Sequence, residues 1–187
     1  MSPAGNWTIP NLITVARMIL VPVFVMMFIT EQFGIALALF LVAGLSDALD
    51  GYLARRLNQG SRLGAMLDPI ADKLLLVTAY ACLGIVGLIA NWLAVLVIAR
   101  EFVILGGIGL LQLNGVDVRN RVRPTVLGKL NTCGQVLLVV VVLSAYSLAM
   151  PLAGLVQFLV IAVAVVSILS GMHYVFIGVG YYRQKHF

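Results

Sequence analysis

Six apolar runs, parted by short polar breaks, limit what this chain can become more than any other feature. They fall near residues 11–30, 34–57, 67–88, 92–112, 126–148 and 152–180. As a helix, each covers the ~30 Å of bilayer hydrocarbon, or does so with tilt where it is longer. The expectation is an all-α polytopic membrane protein with six transmembrane helices, one domain over residues 1–187. Composition excludes the alternatives: 62% of the residues are hydrophobic and 10% are charged, against about 25% charged in a soluble domain. One water-soluble core cannot hide that much apolar surface, and collagen-like, disordered, coiled-coil and disulfide-scaffold chains fail on the same figures. The first run is read as a retained helix and not a cleaved signal. No basic residue precedes it, Arg17 lies within it, and no small-x-small cleavage site follows. Cys82 and Cys133 both sit inside apolar runs, where packing is their ordinary role.

The basic residues sort the links between runs. Arg55, Arg56 and Arg62 join runs two and three; Arg119, Arg121, Arg123 and Lys129 join four and five; Arg183, Lys185 and His186 end the chain. The other three links hold Glu31 and neither Lys nor Arg. This alternation follows the positive-inside rule and predicts both termini on the cytoplasmic side; a bacterial inner membrane is the expected setting. It also accounts for the net charge of +5 without a nucleic-acid partner. Trp7, Trp92, Tyr181 and Tyr182 suit the membrane–water interfaces.

Four of the seven acidic residues fall close together: Asp47, Asp50, Asp68 and Asp72. They lie at the cytoplasmic ends of runs two and three. A carboxylate in or near hydrocarbon costs several kcal/mol, so acids there point to function before structure. Pairing with nearby arginines is the plain alternative and does not account for four converging acids. Asp47 and Asp50 are three apart and share a helix face, which Gly51 and Ala54 continue with almost no side chain. Gly64, Asp68 and Asp72 form a second stripe at four-residue spacing. If the two helices pack antiparallel across their short link, four carboxylates meet, and such a group binds protons or cations. Oxygen-only ligation suits Mg²⁺, Mn²⁺ or Ca²⁺, and the absence of a neighbouring His or Cys argues against zinc. Arg55, with Arg56 and Arg62 beside it, can clamp phosphate. Metal, carboxylate, arginine and a lipid-facing site together suggest phosphoryl transfer on a lipid. Pro69 leaves two readings of Asp68. It either caps a helix whose first residue is Pro69, or lies inside a helix that begins earlier.

The stretch Asp47-Ala-Leu-Asp50-Gly51-Tyr-Leu-Ala54-Arg55, followed after eight residues by Gly64-Ala-Met-Leu-Asp68-Pro-Ile-Ala-Asp72, resembles the D-x-x-D-G-x-x-A-R-x8-G-x-x-x-D-x-x-x-D motif of the CDP-alcohol phosphatidyltransferases. All eight specified positions are present. Ile9-Pro-Asn11-Leu-Ile-Thr14 with Arg17, Ala99-Arg100-Glu101 and Gly128-Lys129-Leu-Asn131-Thr132 also look like family segments. The resemblance implies a homodimer in the lipid bilayer with two divalent ions, Mg or Mn, per protomer. It implies Asp47, Asp50 and Asp68 as metal ligands and Asp72 as ligand or general base. Gly51, Ala54 and Gly64 would line the cytidine pocket, with Arg55 near the phosphates. CDP-diacylglycerol would give its phosphatidyl group to an acceptor hydroxyl with release of CMP.

Within the family the chain resembles phosphatidylglycerophosphate synthases, which use glycerol-3-phosphate, and CMP-forming cardiolipin synthases, which use phosphatidylglycerol. Glycerol-3-phosphate stands slightly ahead on prior alone. Either acceptor carries a phosphate, and Arg100 and Lys129 are the candidate residues for it; snorkelling, or pairing with Glu101, is their plain alternative. Glu101 points about 100° away from Arg100 on a helix, so an anion in the cavity is the expected partner of Arg100. The second arginine usual in the glycerophosphate synthases is absent. Leu105-Gly106-Gly107-Ile108-Gly109 stands in its place and leaves room for a lipid acceptor. A cation or proton transporter is the remote alternative. It would put acids near the midplane and show inverted repeats, neither of which is visible here.

Overall fold

In the computed structural model, residues 9–57, 62–113 and 125–186 are described, with side chains at 15–46, 73–107, 109 and 125–177. The described residues form six helices and no strand: α1 Ile9–Ile29, α2 Phe33–Leu57, α3 Arg62–Ile85, α4 Asn91–Leu113, α5 Val126–Ser147 and α6 Ala153–His186. The six expected helices are therefore present, most within a few residues of their expected ends. Two departures matter. Helix α3 begins at Arg62 and not near 67, so Asp68 and Pro69 lie inside it. That removes the reading of Asp68 as a helix cap. Helix α6 runs on to His186, beyond the expected end near 180.

Two stretches, Val126–Ser147 and Ala153–Ile177, are long and apolar enough to cross a membrane. Less than half of either stretch is buried. The apolar core helix of a water-soluble protein would hide those residues. Here Phe158, Ile161, Val165, Ile168, Met172 and Phe176 stand exposed along α6. A continuous apolar surface of this kind is one that lipid or a partner chain covers.

The three links without Lys or Arg share one construction. At the end of α3, the Gly87 N–H donates to the Gly84 carbonyl at 3.0 Å and the Leu88 N–H to the Leu83 carbonyl at 2.9 Å. Gly87 takes φ +77°. This is a Schellman stop with glycine at its left-handed position. The same pattern closes α1, through Glu31 N–H to Phe28 O and Gln32 N–H to Met27 O, with Glu31 at φ 58°. It closes α5 through Met150 N–H to Ala145 O, with Ala149 at φ 49° and Pro151 following. Glu31 and Ala149 carry a Cβ in a conformation that costs an L-residue about 1–2 kcal/mol. Glu31→Gly and Ala149→Gly are expected to stabilise the protein by about 1 kcal/mol each, read as a higher melting temperature in detergent. A fall in that temperature would show that the side chains contribute more than their backbone strain costs.

The described residues divide into two units. The first, residues 1–82 with 143–151, joins α1 to α2 across a three-residue link. A chain of rings fills it: Phe24 meets Phe28 at 5.9 Å and Phe40 at 6.2 Å, Phe28 meets Phe33 at 5.5 Å, and Phe33 meets Tyr146 at 5.7 Å. Arg17, midway along α1, is only 1% exposed. The second unit, residues 83–142 with 152–187, holds α4, most of α5, and α6. Leu93, Val97, Leu138, Val139, Val142, Val160 and Val163 are buried within it. At Gly84 a Cβ would lie 2.8 Å from the Ala94 Cβ, so the α3–α4 turn is tight enough to demand glycine.

Candidate functional site

The motif residues lie on two successive helices. Asp47, Asp50, Gly51, Ala54 and Arg55 belong to the last part of α2, and Gly64, Asp68 and Asp72 to the first half of α3. Residues 58–61 alone part the two helices. The helical backbone confirms the registers read from spacing: Asp47, Asp50, Gly51 and Ala54 fall along one stripe of α2, and Gly64, Asp68 and Asp72 along one stripe of α3. The side chains of Asp47, Asp50, Ala54, Arg55, Asp68 and Asp72, and the surroundings of Gly51 and Gly64, lie outside the described residues.

The two other expected residues belong to the second unit. Arg100 lies in α4 and is 7% exposed; Lys129 lies in the first turn of α5 and is exposed. No hydrogen bond or ion pair of the Lys129 side chain occurs among the described residues. The guanidinium of Arg100 is held from several sides. It pairs with the Glu101 carboxylate, donates to the Ser170 hydroxyl of α6 at 2.8 Å, and stands 6.0 Å from the centre of the Tyr174 ring. The stem of Arg100 packs across Gly171, where a Cβ would lie 3.6 Å from its Cγ.

The pairing with Glu101 corrects the expectation that Glu101, about 100° away on the helix, does not share the face of Arg100. Both side chains are long and flexible, and their tips close the 100° offset that separates their Cβ atoms. Glu101 is 1% exposed. Two opposite charges removed from water gain more from each other than from any orientation that parts them. An external anion is therefore not required to explain Arg100.

A second polar link runs beside the first. The Ser167 hydroxyl donates to Asn131 Oδ1 of α5 at 2.7 Å, and both residues are buried. Gln135, one turn beyond Asn131, is buried as well. Buried polar groups of this kind are retained only with partners. Among the described residues, Arg100 Nε and Asn131 Nδ2 have no hydrogen-bond acceptor. Spacing in the sequence places the residues of this seam on common helix faces but does not show which faces meet. Asn131 and Gln135 are four apart, and Ser167, Ser170 and Tyr174 are three and four apart, so each set shares a helix face.

Comparison with known proteins agrees with the motif. The profile of the CDP-alcohol phosphatidyltransferase family matches residues 7–179. The human protein named cardiolipin synthase (CMP-forming) is 37% identical over 153 residues, covering 74% of this chain and 51% of the relative. The Streptomyces coelicolor protein of the same name is 39% identical over 114 residues, covering 58% of this chain and 53% of the relative. The CDP-diacylglycerol-glycerol-3-phosphate 3-phosphatidyltransferase of Bacillus subtilis is 33% identical over 148 residues, covering 71% of this chain and 75% of the relative. The chain thus spans about half the length of the human and Streptomyces relatives it matches. With nearly the whole chain inside the family profile and every motif position on α2 and α3, the protein belongs to the CDP-alcohol phosphatidyltransferase family.

Proposed function

We propose that the protein transfers the phosphatidyl group of CDP-diacylglycerol to a glycerol hydroxyl of a phosphate-bearing acceptor, with release of CMP. The observation that carries this reading is the set of four aspartates, two glycines, one alanine and one arginine in helical register on α2 and α3. In the proposed arrangement all six helices span the bilayer of a homodimer, both termini are cytoplasmic, and the acids sit where cytosol meets lipid. CDP-diacylglycerol has a soluble head and two acyl tails, so a site at that boundary suits it.

The donor set fits a hard divalent ion: Asp47, Asp50, Asp68 and Asp72 offer carboxylate oxygens only, and α2 and α3 contain no His. Two such ions, Mg²⁺ or Mn²⁺, would neutralise the diphosphate and the charge that develops during transfer. The chain's own residues would do the rest. Gly51, Ala54 and Gly64 leave room for the cytidine against the backbone, and Arg55 binds phosphate oxygen. Asp72 takes the proton of the acceptor hydroxyl. The acceptor oxygen forms its bond to the phosphorus bearing the diacylglycerol, and the bond from that phosphorus to the CMP oxygen breaks. Arg100 and Lys129 hold the acceptor phosphate.

The first reading of the acceptor is glycerol-3-phosphate, in keeping with the name of the Bacillus relative. The second is phosphatidylglycerol, and one observation favours it. Gly106 and Gly107 on α4 are exposed, and a Cβ at either would meet nothing within 4 Å. That open stretch admits acyl chains, and the human relative carries the corresponding name. Purified protein with CDP-diacylglycerol, Mg²⁺ and each acceptor in turn tests both readings. CMP release dependent on one of the two, with the matching lipid product, is expected. No CMP release with either overturns the proposal.

A further inference from the structure

The first turn of α5 is capped from another helix. Thr125 precedes α5, and its hydroxyl accepts the Gly128 N–H at 3.1 Å, as an N-cap does. In a capping box the third helical residue is Glu or Gln, whose side chain reaches back to the N–H of the cap residue. Here that residue is Gly128, which has no side chain to do so. The Thr125 N–H instead donates to the Tyr174 hydroxyl of α6, a long contact at 3.5 Å. The phenol occupies the space that a side chain at position 128 would take. A Cβ there would lie 2.9 Å from the Tyr174 hydroxyl and 3.3 Å from its Cε2. Gly128 and Tyr174 are thus complementary: the glycine is needed because the tyrosine supplies the missing group.

The same ring lies 6.0 Å from the Arg100 guanidinium, within reach of a cation–π attraction. Lys129 follows Gly128 directly. We propose that Tyr174 is a positioning residue that fixes together the α5 turn bearing Lys129 and the guanidinium of Arg100. It touches neither substrate and acts through these two cations. The consequence for catalysis rests on the acceptor role proposed above for them; the cap itself does not.

Tyr174→Phe separates the two contacts, since it keeps the ring and removes the hydroxyl. Hydrogen exchange on the purified protein reads the cap without turnover. Tyr174→Phe should speed exchange of the amides of Thr125–Lys129 by about five-fold and leave the middle of α5 unchanged. With turnover, acceptor KM should rise by about three- to ten-fold, and more in Tyr174→Leu, which also loses the ring. The KM for CDP-diacylglycerol should stay level. Gly128→Ala should reproduce the Tyr174→Phe exchange pattern by displacing the hydroxyl. The double variant Gly128→Ala with Tyr174→Phe should exchange no faster than either single one, because both remove the same contact. Unchanged exchange at Thr125–Lys129 in Tyr174→Phe overturns the proposal, as does an equal rise in both KM values. Inactivity of the unaltered protein with both acceptors would instead overturn the function proposed above, and the exchange pattern would still decide the role of Tyr174.

Discussion

Asp68→Asn is expected to lower turnover by a factor on the order of 10² or more, and Asp47→Asn and Asp50→Asn to do the same. Each removes a carboxylate charge from a site proposed to hold divalent ions, where charge stabilisation contributes several kcal/mol to the transition state. Asparagine keeps the shape, so the loss reports charge and not packing. Chelation with EDTA should abolish CMP release, and added Mg²⁺ or Mn²⁺ should restore it. Asp72→Asn should differ in kind. As the proton acceptor it should lose turnover while retaining CDP-diacylglycerol binding better than Asp47→Asn does. Initial rates across an ion titration, with nucleotide-lipid binding measured alongside, check all four. Full activity in EDTA or in Asp68→Asn would refute the metal reading, and equal loss of binding in Asp47→Asn and Asp72→Asn would leave Asp72 as a ligand only.

The sequence showed the helices and the motif for the same reason: both are periodic. Apolar runs long enough to span a bilayer mark the helices, and spacings of three and four place acids on one stripe. Helix ends were less legible. The apolar run suggested a start near 67, and Pro69 left Asp68 between a cap and a place inside the helix, yet α3 begins at Arg62. The preference before proline is local, and a helix already begun carries through it. The Schellman stops at Glu31 and Ala149 were hidden as well, because neither residue advertises a positive φ as glycine does at Gly87. Least legible was the seam of the second unit. Spacing alone placed Glu101 away from Arg100, whereas burial of both charges drives them together. Ser170 and Tyr174 meet Arg100 from 70 and 74 positions further along the chain, a relation no local pattern encodes.

That pairing sets up a test which separates structure from function at Arg100. Glu101→Leu leaves a buried guanidinium without its carboxylate and is expected to cost about 3–5 kcal/mol of stability. Arg100→Leu should cost less, because a buried carboxyl can take up a proton and become neutral, whereas a guanidinium cannot lose one. Arg100→Leu with Glu101→Leu removes both charges and should recover most of the loss, since a buried ion pair replaced by apolar residues of similar volume is often neutral. Melting temperatures in detergent should therefore fall furthest in Glu101→Leu, less in Arg100→Leu and least in the double variant. If Glu101→Leu melts no lower than the double variant, the pair does not hold α4. The double variant, being folded, can then be asked about the acceptor. If the Arg100 guanidinium, with its Nε unaccepted among the described residues, also takes the acceptor phosphate, loss of that contact removes roughly 1.5–3 kcal/mol of binding. Acceptor KM should rise about ten- to a hundred-fold, with the KM for CDP-diacylglycerol unmoved. Lys129→Ala, at an exposed position with no partner among the described residues, should raise acceptor KM without lowering the melting temperature. An unchanged acceptor KM in the double variant would assign Arg100 to the scaffold, and leave Lys129 as the cation that meets the acceptor.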